Sequence, residues 1–302
     1  MAAVDQAATL RKLAAEKKED RVKQTKTIAI TSGKGGVGKT SLAVSLSIAI
    51  ARNGQTKVTL LDADLGLANI NVILGVIPQF NLYHVIKGKK KLKDIVIDVP
   101  EGIKIIAGAS GFHQLANLDM KQRKEFIDEF QSLEGDDYMV IDTGAGVSQN
   151  VLSFVVAADE VIVVTTPEPT AITDAYGIIK SIASQTNDKP IRLVVNRVQS
   201  VSEGRRVAQR IINIAGQFLN IKVDSLGFIF DDPLVAKSVR NQKPFIVGYP
   251  KARSSVCVAM IADKITNRES EYSRAGGLSG FIKNLFKSQS EDAEDDKEKV
   301  EE

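Results

Sequence analysis

The chain has a single cysteine, Cys257, and two widely separated histidines, His84 and His113, in 302 residues. One thiol excludes an internal disulfide framework and fits a reducing compartment. It also excludes a cysteine-ligated metal centre, and the two histidines do not supply the missing ligands. No apolar run approaches the ~20 residues of a membrane-spanning helix. Residues 1–20 are charged throughout and lack the apolar stretch of a signal peptide. The expectation is a soluble chain that can still touch a membrane surface. Strong net charge is missing too, at +3. That balance hides an asymmetry: residues 291–302 hold eight carboxylates and two lysines, a net of −6, so residues 1–290 carry +9. A basic body favours anionic partners such as nucleotide, nucleic acid or lipid, and charge alone does not choose among them.

What is present is an ordinary globular composition, 43% apolar and 25% charged, sufficient for a sizeable core. Between Thr25 and Asn267, short β-branched runs alternate with longer helix-like segments. The runs begin near Lys26, Lys57, Gly102, Asp137, Glu160, Ile191 and Asp224. Their nearly continuous apolar character means burial on both faces, as in a parallel sheet covered by helices. The fold class expected is α/β, a doubly wound, mostly parallel sheet flanked by helices. The expected organisation is an N-terminal helix and linker (1–24), a nucleotide-binding domain (25–268), a linker (269–277), an amphipathic helix (278–288) and an acidic, disordered tail (289–302).

Gly33, Gly38, Lys39 and Thr40 fit G-x-x-x-x-G-K-[ST], between the first strand and a helix. Glycines let successive backbone N–H groups turn toward phosphates, and the helix N-terminus adds its dipole. The expected nucleotide contacts run through Gly33, Lys34, Gly35, Gly36, Val37, Gly38, Lys39, Thr40 and Ser41. Lys39 would neutralise the β- and γ-phosphates, and the Thr40 hydroxyl would ligate Mg²⁺. Two later strands end in carboxylates, Asp62 with Asp64 and then Asp142, where an open α/β sheet places its ligand. A strand-end Asp suits the water shell of Mg²⁺ or the orientation of an attacking water. The strand end Val195-Asn196-Arg197 lacks the N-K-x-D carboxylate that reads guanine. Asn196 carries both a donor and an acceptor for adenine, so ATP is expected over GTP, with Arg197 beside it.

Lys34 is one positive charge more than a phosphate loop needs. With it, the loop resembles the deviant Walker A family of ATPases that includes MinD and ParA, whose signature is K-G-G-V-G-K-[ST]. The resemblance covers about Lys26 to Ile265. It implies a Mg²⁺-dependent ATPase that binds ATP and ADP and dimerises when ATP-bound. By the same resemblance Lys34 reaches the partner subunit's phosphates, Asp64 positions the hydrolytic water, and Asp62 and Asp142 organise Mg²⁺. Asp174 falls where relatives carry dimer-edge or effector contacts. Within the family the chain is similar to the FlhG group, also called YlxH or FleN, through Asp5, Gln6, Ala7, Leu10 and Arg11 at its start. That likeness implies a helix that stimulates the GTPase FlhF, control of flagellar number or placement, and contact with flagellar basal-body (C-ring) components. A septum- or DNA-positioning ATPase of the MinD or ParA kind is the alternative, and direct nucleic-acid binding is not expected.

Leu278, Phe281, Ile282, Leu285 and Phe286 share one helical face flanked by Lys283 and Lys287. Such a face suits either an anionic membrane surface or the chain's own domain, since periodicity does not distinguish apolar partners. The family resemblance favours lipid, and hence a cytoplasmic protein that is peripheral on the inner face of the cell membrane when ATP-bound.

Overall fold

The computed structural model describes residues 24–52, 54–64, 69–108, 120–131, 133, 135–186, 189–267 and 277–287. Eight strands form one sheet in the order β3-β4-β2-β5-β1-β6-β7-β8. They are β1 (Lys26–Ser32), β2 (Val58–Ala63), β3 (Val96–Asp98), β4 (Lys104–Ile106), β5 (Tyr138–Ala145), β6 (Glu160–Thr165), β7 (Ile191–Val198) and β8 (Val223–Phe230). All neighbours are parallel except β3, which pairs antiparallel with β4 at the edge. The sequence expectation of a doubly wound, mostly parallel sheet holds. It passed over β3, whose three residues are only partly covered and carry too short a pattern to stand out.

Successive strand residues feed opposite faces, as the pleat requires. Ala29, Leu61, Met139, Ile141, Val161, Val163, Leu193 and Val195 enter one core. Ile28, Ile30, Leu60, Val140, Ile162, Val164 and Val194 enter the other. On the second face lie α1 (Lys39–Ala51), α2 (Ile70–Leu74), and two helices described below. α1 is buried along almost its whole length, and Gly54 closes it by donating to the Ala51 carbonyl at 2.9 Å. On the first face lie α3 (Leu82–Ile86), α4 (Met120–Gln131), α5 (Gln149–Ala157), α6 (Pro169–Gln185) and α7 (Val201–Leu219). Pro169 starts α6, where its missing N–H costs nothing, and the Ser200 hydroxyl caps α7 by accepting from the Glu203 amide. Then come α8 (Pro233–Arg240), α9 (Phe245–Gly248) and α10 (Arg253–Asn267), the last two completing the second face.

A final helix, α11 (277–287), packs on the first face. Leu278, Phe281, Ile282, Leu285 and Phe286 are each at most 5% exposed. Phe281 meets Phe154 of α5 at 6.4 Å between ring centroids, and Phe286 meets Phe126 of α4 edge-on at 5.8 Å. The stripe expected to face lipid is therefore turned into the protein in this structure. A groove between α4 and α5 offers aromatic rings, and burying them there removes the same apolar area from water that a bilayer would. Lys283 and Lys287 remain on the exposed side. No helix among the described residues is long and apolar enough to cross a membrane.

Candidate functional site

The sheet reverses its winding at β1, which has β5 on one side and β6 on the other. The crevice beyond the carboxyl ends of these strands is where open α/β sheets bind ligands. The loop from β1 to α1 fills it. Gly38 stands at the N-cap of α1 with φ 95°, and no side chain caps the helix. The first amides of α1 are left to an external acceptor, the arrangement an anion requires.

The loop is held by close backbone contacts. A Cβ on Gly33 would lie 2.0 Å from the Asp174 carbonyl oxygen of α6, so only glycine fits. A Cβ on Gly38 would meet the Asn196 amide nitrogen at 2.4 Å. Asn196, at the end of β7, donates through Nδ2 to the Val37 carbonyl at 2.8 Å and accepts from the Arg197 amide at 2.9 Å. Each of its polar atoms keeps one further bonding capacity. Arg197 holds a left-handed φ of 58°, which turns the chain around this clasp. Asp174 therefore sits against the first glycine of the loop, half-buried.

Three carboxylates and one lysine form the polar floor. Asp62 and Asp142 are direct partners in the β2–β5 register, so two acids face each other at the strand ends. Asp62 accepts from the Asp64 amide at 3.1 Å and the Ile70 amide at 3.4 Å. Burial pushes the Asp62 carboxyl up to about 6, against these amides. Asp142 is 1% exposed, and burial pushes it up to about 7, with the Thr40 hydroxyl and Lys39 opposing and Asp62 and Asp64 assisting. Apart from the Thr40 hydroxyl, neither Asp142 oxygen has a donor in hydrogen-bond geometry. Lys39 is itself buried, which lowers its pKa, while Asp142 and Asp64 favour its charge.

A buried carboxylate whose one hydrogen-bond donor is a threonine hydroxyl fits a hard cation. Among the described residues no cluster of three or more His, Cys, Asp or Glu could hold a metal alone. Mg²⁺ here would need phosphate and water ligands beside Thr40, with Asp142 and Asp62 acting through water. When bound it would neutralise charge on the phosphates.

A cleft of about 590 Å³ opens beside Gly38 and Ser41. Its walls include Leu42, Ile229, Phe230, Val235, Val239 and Phe245, with Asn196, Arg197 and Asp231 at polar positions. Size and apolar lining suit a base and sugar. Asp232 is already committed: it caps α8 through the Leu234 amide at 3.0 Å and accepts from the Ser254 hydroxyl at 3.0 Å. The sequence placed the segment 227–238 near the base without a family-like motif to assign its contacts; Val239 and Phe245 carried no signal at all.

Lys34 does not point into this floor. Its Nζ lies 2.9 Å from Glu168 Oε2 and 2.9 Å from Thr170 Oγ1, at the start of α6. The Lys34 hydrogen bond and charge hold Glu168 below the usual carboxylate range. The chain thus keeps the signature lysine folded on its own surface. Asp5, Gln6, Ala7, Leu10 and Arg11 lie outside the described residues.

Residues 28–245 match the CobQ/CobB/MinD/ParA nucleotide binding domain. The chain is 37% identical over 259 residues to the antiactivator FleN of Pseudomonas aeruginosa, covering 85% of this chain and 92% of that one. It is 37% identical over 274 residues to the flagellum site-determining protein YlxH of Helicobacter pylori, covering 89% and 92%. Among solved structures, the septum site-determining protein MinD complexed with Mg-ADP, from Pyrococcus horikoshii, aligns with a TM-score of 0.64 at 26% identity. That alignment covers 80% of this chain and 96% of the other. A phosphate loop at the sheet's switch point, a second lysine within it and these similarities lead to one conclusion: the chain belongs to the CobQ/CobB/MinD/ParA nucleotide-binding family, in its FlhG (FleN, YlxH) group.

Proposed function

We propose that this protein is an ATP-driven dimerising switch that regulates flagellar number or placement. The observation that carries the reading is the position of Lys34, a loop lysine that phosphate binding does not need and that surface contacts with Glu168 and Thr170 retain. Both side chains are substantially exposed, at 38% and 58%, and exposed pairs of this kind are weak. A γ-phosphate presented by a second subunit offers Lys34 a better-charged partner. In this reading ATP closes the dimer, Asp64 orients the attacking water, and hydrolysis returns Lys34 to its own chain. Asp64 stands beside the carboxyl end of β5, its Oδ1 3.6 Å from where a Gly144 Cβ would be. Asn196 would read adenine with its remaining donor and acceptor while clasping the loop, and Arg197 would flank the base. Asp174, packed on Gly33, would pass loop movement to the effector face of α6.

The same reading makes α11 a releasable membrane element. Burial of its five large apolar side chains favours docking, the entropy of ordering residues 277–287 opposes it, and a nucleotide-linked change in α4 or α5 would shift the balance. Two released helices on one dimer would bind an anionic bilayer with avidity. The N-terminal residues Asp5, Gln6, Ala7, Leu10 and Arg11 would stimulate the GTPase FlhF, and basal-body C-ring components would read the ATP-bound surface.

The test combines light scattering and vesicle cosedimentation with a non-hydrolysable ATP analogue and Mg²⁺. Wild type should dimerise and bind phosphatidylglycerol vesicles, while Lys34→Ala should do neither at equal nucleotide occupancy. A monomeric wild type at saturating analogue, or an unaffected Lys34→Ala dimer, would count against the proposal.

A further inference from the structure

Lys87, Lys89, Lys90, Lys91 and Lys93 fall within seven residues of the loop after α3, and the nucleotide site uses none of them. The loop backbone is tied down. Lys89 and Lys90 amides both donate to the His84 carbonyl, at 2.8 and 3.1 Å. Three carboxylates line the adjoining cleft: Glu129 accepts from the Leu92 amide at 2.7 Å, Asp94 from the Lys91 amide at 3.1 Å, and Glu125 pairs with Lys121 at 4.0 Å. Lys90 Nζ stands 4.0 Å over the Phe80 ring and Lys87 Nζ 5.6 Å over Tyr83. Among the described residues none of the five lysines forms an ion pair. A fixed loop therefore presents concentrated positive charge, at the rim of a cleft of about 480 Å³ shared with α4.

One wall of that cleft is Phe126, the same ring that packs on Phe286 at the end of α11. Arg123 covers Phe286 from another side, 5.5 Å from the ring centroid. Docked α11 thus ends against the α4 ring that also lines the lysine-rimmed cleft. Only residues 288–290 separate its last residue, Lys287, from the acidic run at 291–302. Four steps of extended chain reach at most about 14 Å. The run brings a net charge of −6 to a loop carrying five lysines, and the tether gives it an effective concentration on the order of millimolar.

We propose that residues 291–302 dock on the lysine loop 87–93 and its cleft, forming an electrostatic latch that holds α11 against the domain. The lysines and α4 form the receiving surface, and the chain's own acidic run is the occupant. An anionic surface that competes for the lysines opens the latch and frees the helix that precedes the acidic run.

Carbodiimide coupling of the full-length protein tests the contact directly, because it joins lysines only to carboxylates in contact. The monomer band should yield peptides linking 87–93 to 291–302, alongside the Lys34–Glu168 link as internal reference. The new link should weaken several-fold from 0.1 to 1 M salt, as screening shortens from about 10 to about 3 Å. The combined change K89E, K90E and K91E should remove it and spare the reference. A monomer giving the reference link without the new one overturns the proposal. A second arm, which rests on α11 being a membrane element as proposed above, uses phosphatidylglycerol vesicles. Removing 291–302 should raise binding several-fold in the wild-type background, and most of that gain should vanish in the triple variant. An equal gain in both backgrounds means the acidic run merely repels lipid, which overturns the latch. A triple variant that loses vesicle binding by the same factor with and without 291–302 marks the lysines as lipid contacts, and also overturns it.

Discussion

Replacing Asp142 by asparagine should stabilise the nucleotide-free protein at pH 8 while weakening its hold on Mg²⁺-nucleotide. Asp142 is 1% exposed, has no hydrogen-bond donor beyond the Thr40 hydroxyl, and its carboxyl is pushed by burial from 3.8 to about 7. The folded protein keeps this proton up to about pH 7, whereas the unfolded chain releases it near 3.8. Between those values the folded state binds more protons, so stability falls as pH rises from about 4 to about 7 and is level above. A shift of about three units corresponds to about 4 kcal/mol. Asparagine has the same shape and no charge to desolvate, so it should recover most of that amount at pH 8 and little at pH 4. Urea unfolding of both proteins across this range, without nucleotide, reads the difference directly. With Mg²⁺ and nucleotide the order should invert, because the ion favours the carboxylate and asparagine cannot answer its charge. An Asp142→Asn protein no more stable than wild type at pH 8, or an advantage that persists unchanged at pH 4, would refute the account of an unmatched acid awaiting a cation.

Further expectations follow from the same geometry. Gly33→Ala should abolish nucleotide binding in a fluorescent-analogue titration while secondary structure persists, because its Cβ would lie 2.0 Å from the Asp174 carbonyl oxygen. Asn196→Ala should cost about 0.5–1.5 kcal/mol of stability through the lost Val37 bond. It should also weaken nucleotide binding more than it weakens inorganic phosphate binding. Phe281→Ala removes a ring 1% exposed against Phe154, a change worth about 3–5 kcal/mol in an intact core. With α11 undocking as a unit, as proposed above, global unfolding should shift by less, while exchange protection across 277–287 collapses.

Much of the site could be read from the sequence because its parts are local. The phosphate loop occupies adjacent positions, and Asp62 and Asp142 each follow a recognisable apolar run whose end had to meet the crevice. Parallel strands were legible for the same reason: burial on both faces leaves an unbroken apolar run, as in β1 and β6. What the sequence withheld was pairing at a distance. Asn196 was expected to read the base, yet its main visible bond runs to Val37, 159 residues away. Lys34 was legible as a surplus charge, but its Glu168 partner depends on how α6 starts beside the loop. The apolar face of α11 was legible as a face and not as a contact, because Phe126 and Phe154 come together only through the packing of α4 and α5.

In the proposed switch, nucleotide state sets assembly and, through it, the position of α11. Hydrogen exchange across 277–287 tests this in one measurement, made on the protein with ADP and with a non-hydrolysable ATP analogue, each with Mg²⁺. The segment should be protected with ADP and lose protection in the ATP-bound dimer, with Lys34→Ala remaining protected in both states. A dimer in which 277–287 stays as protected as in the ADP-bound protein would contradict the claim.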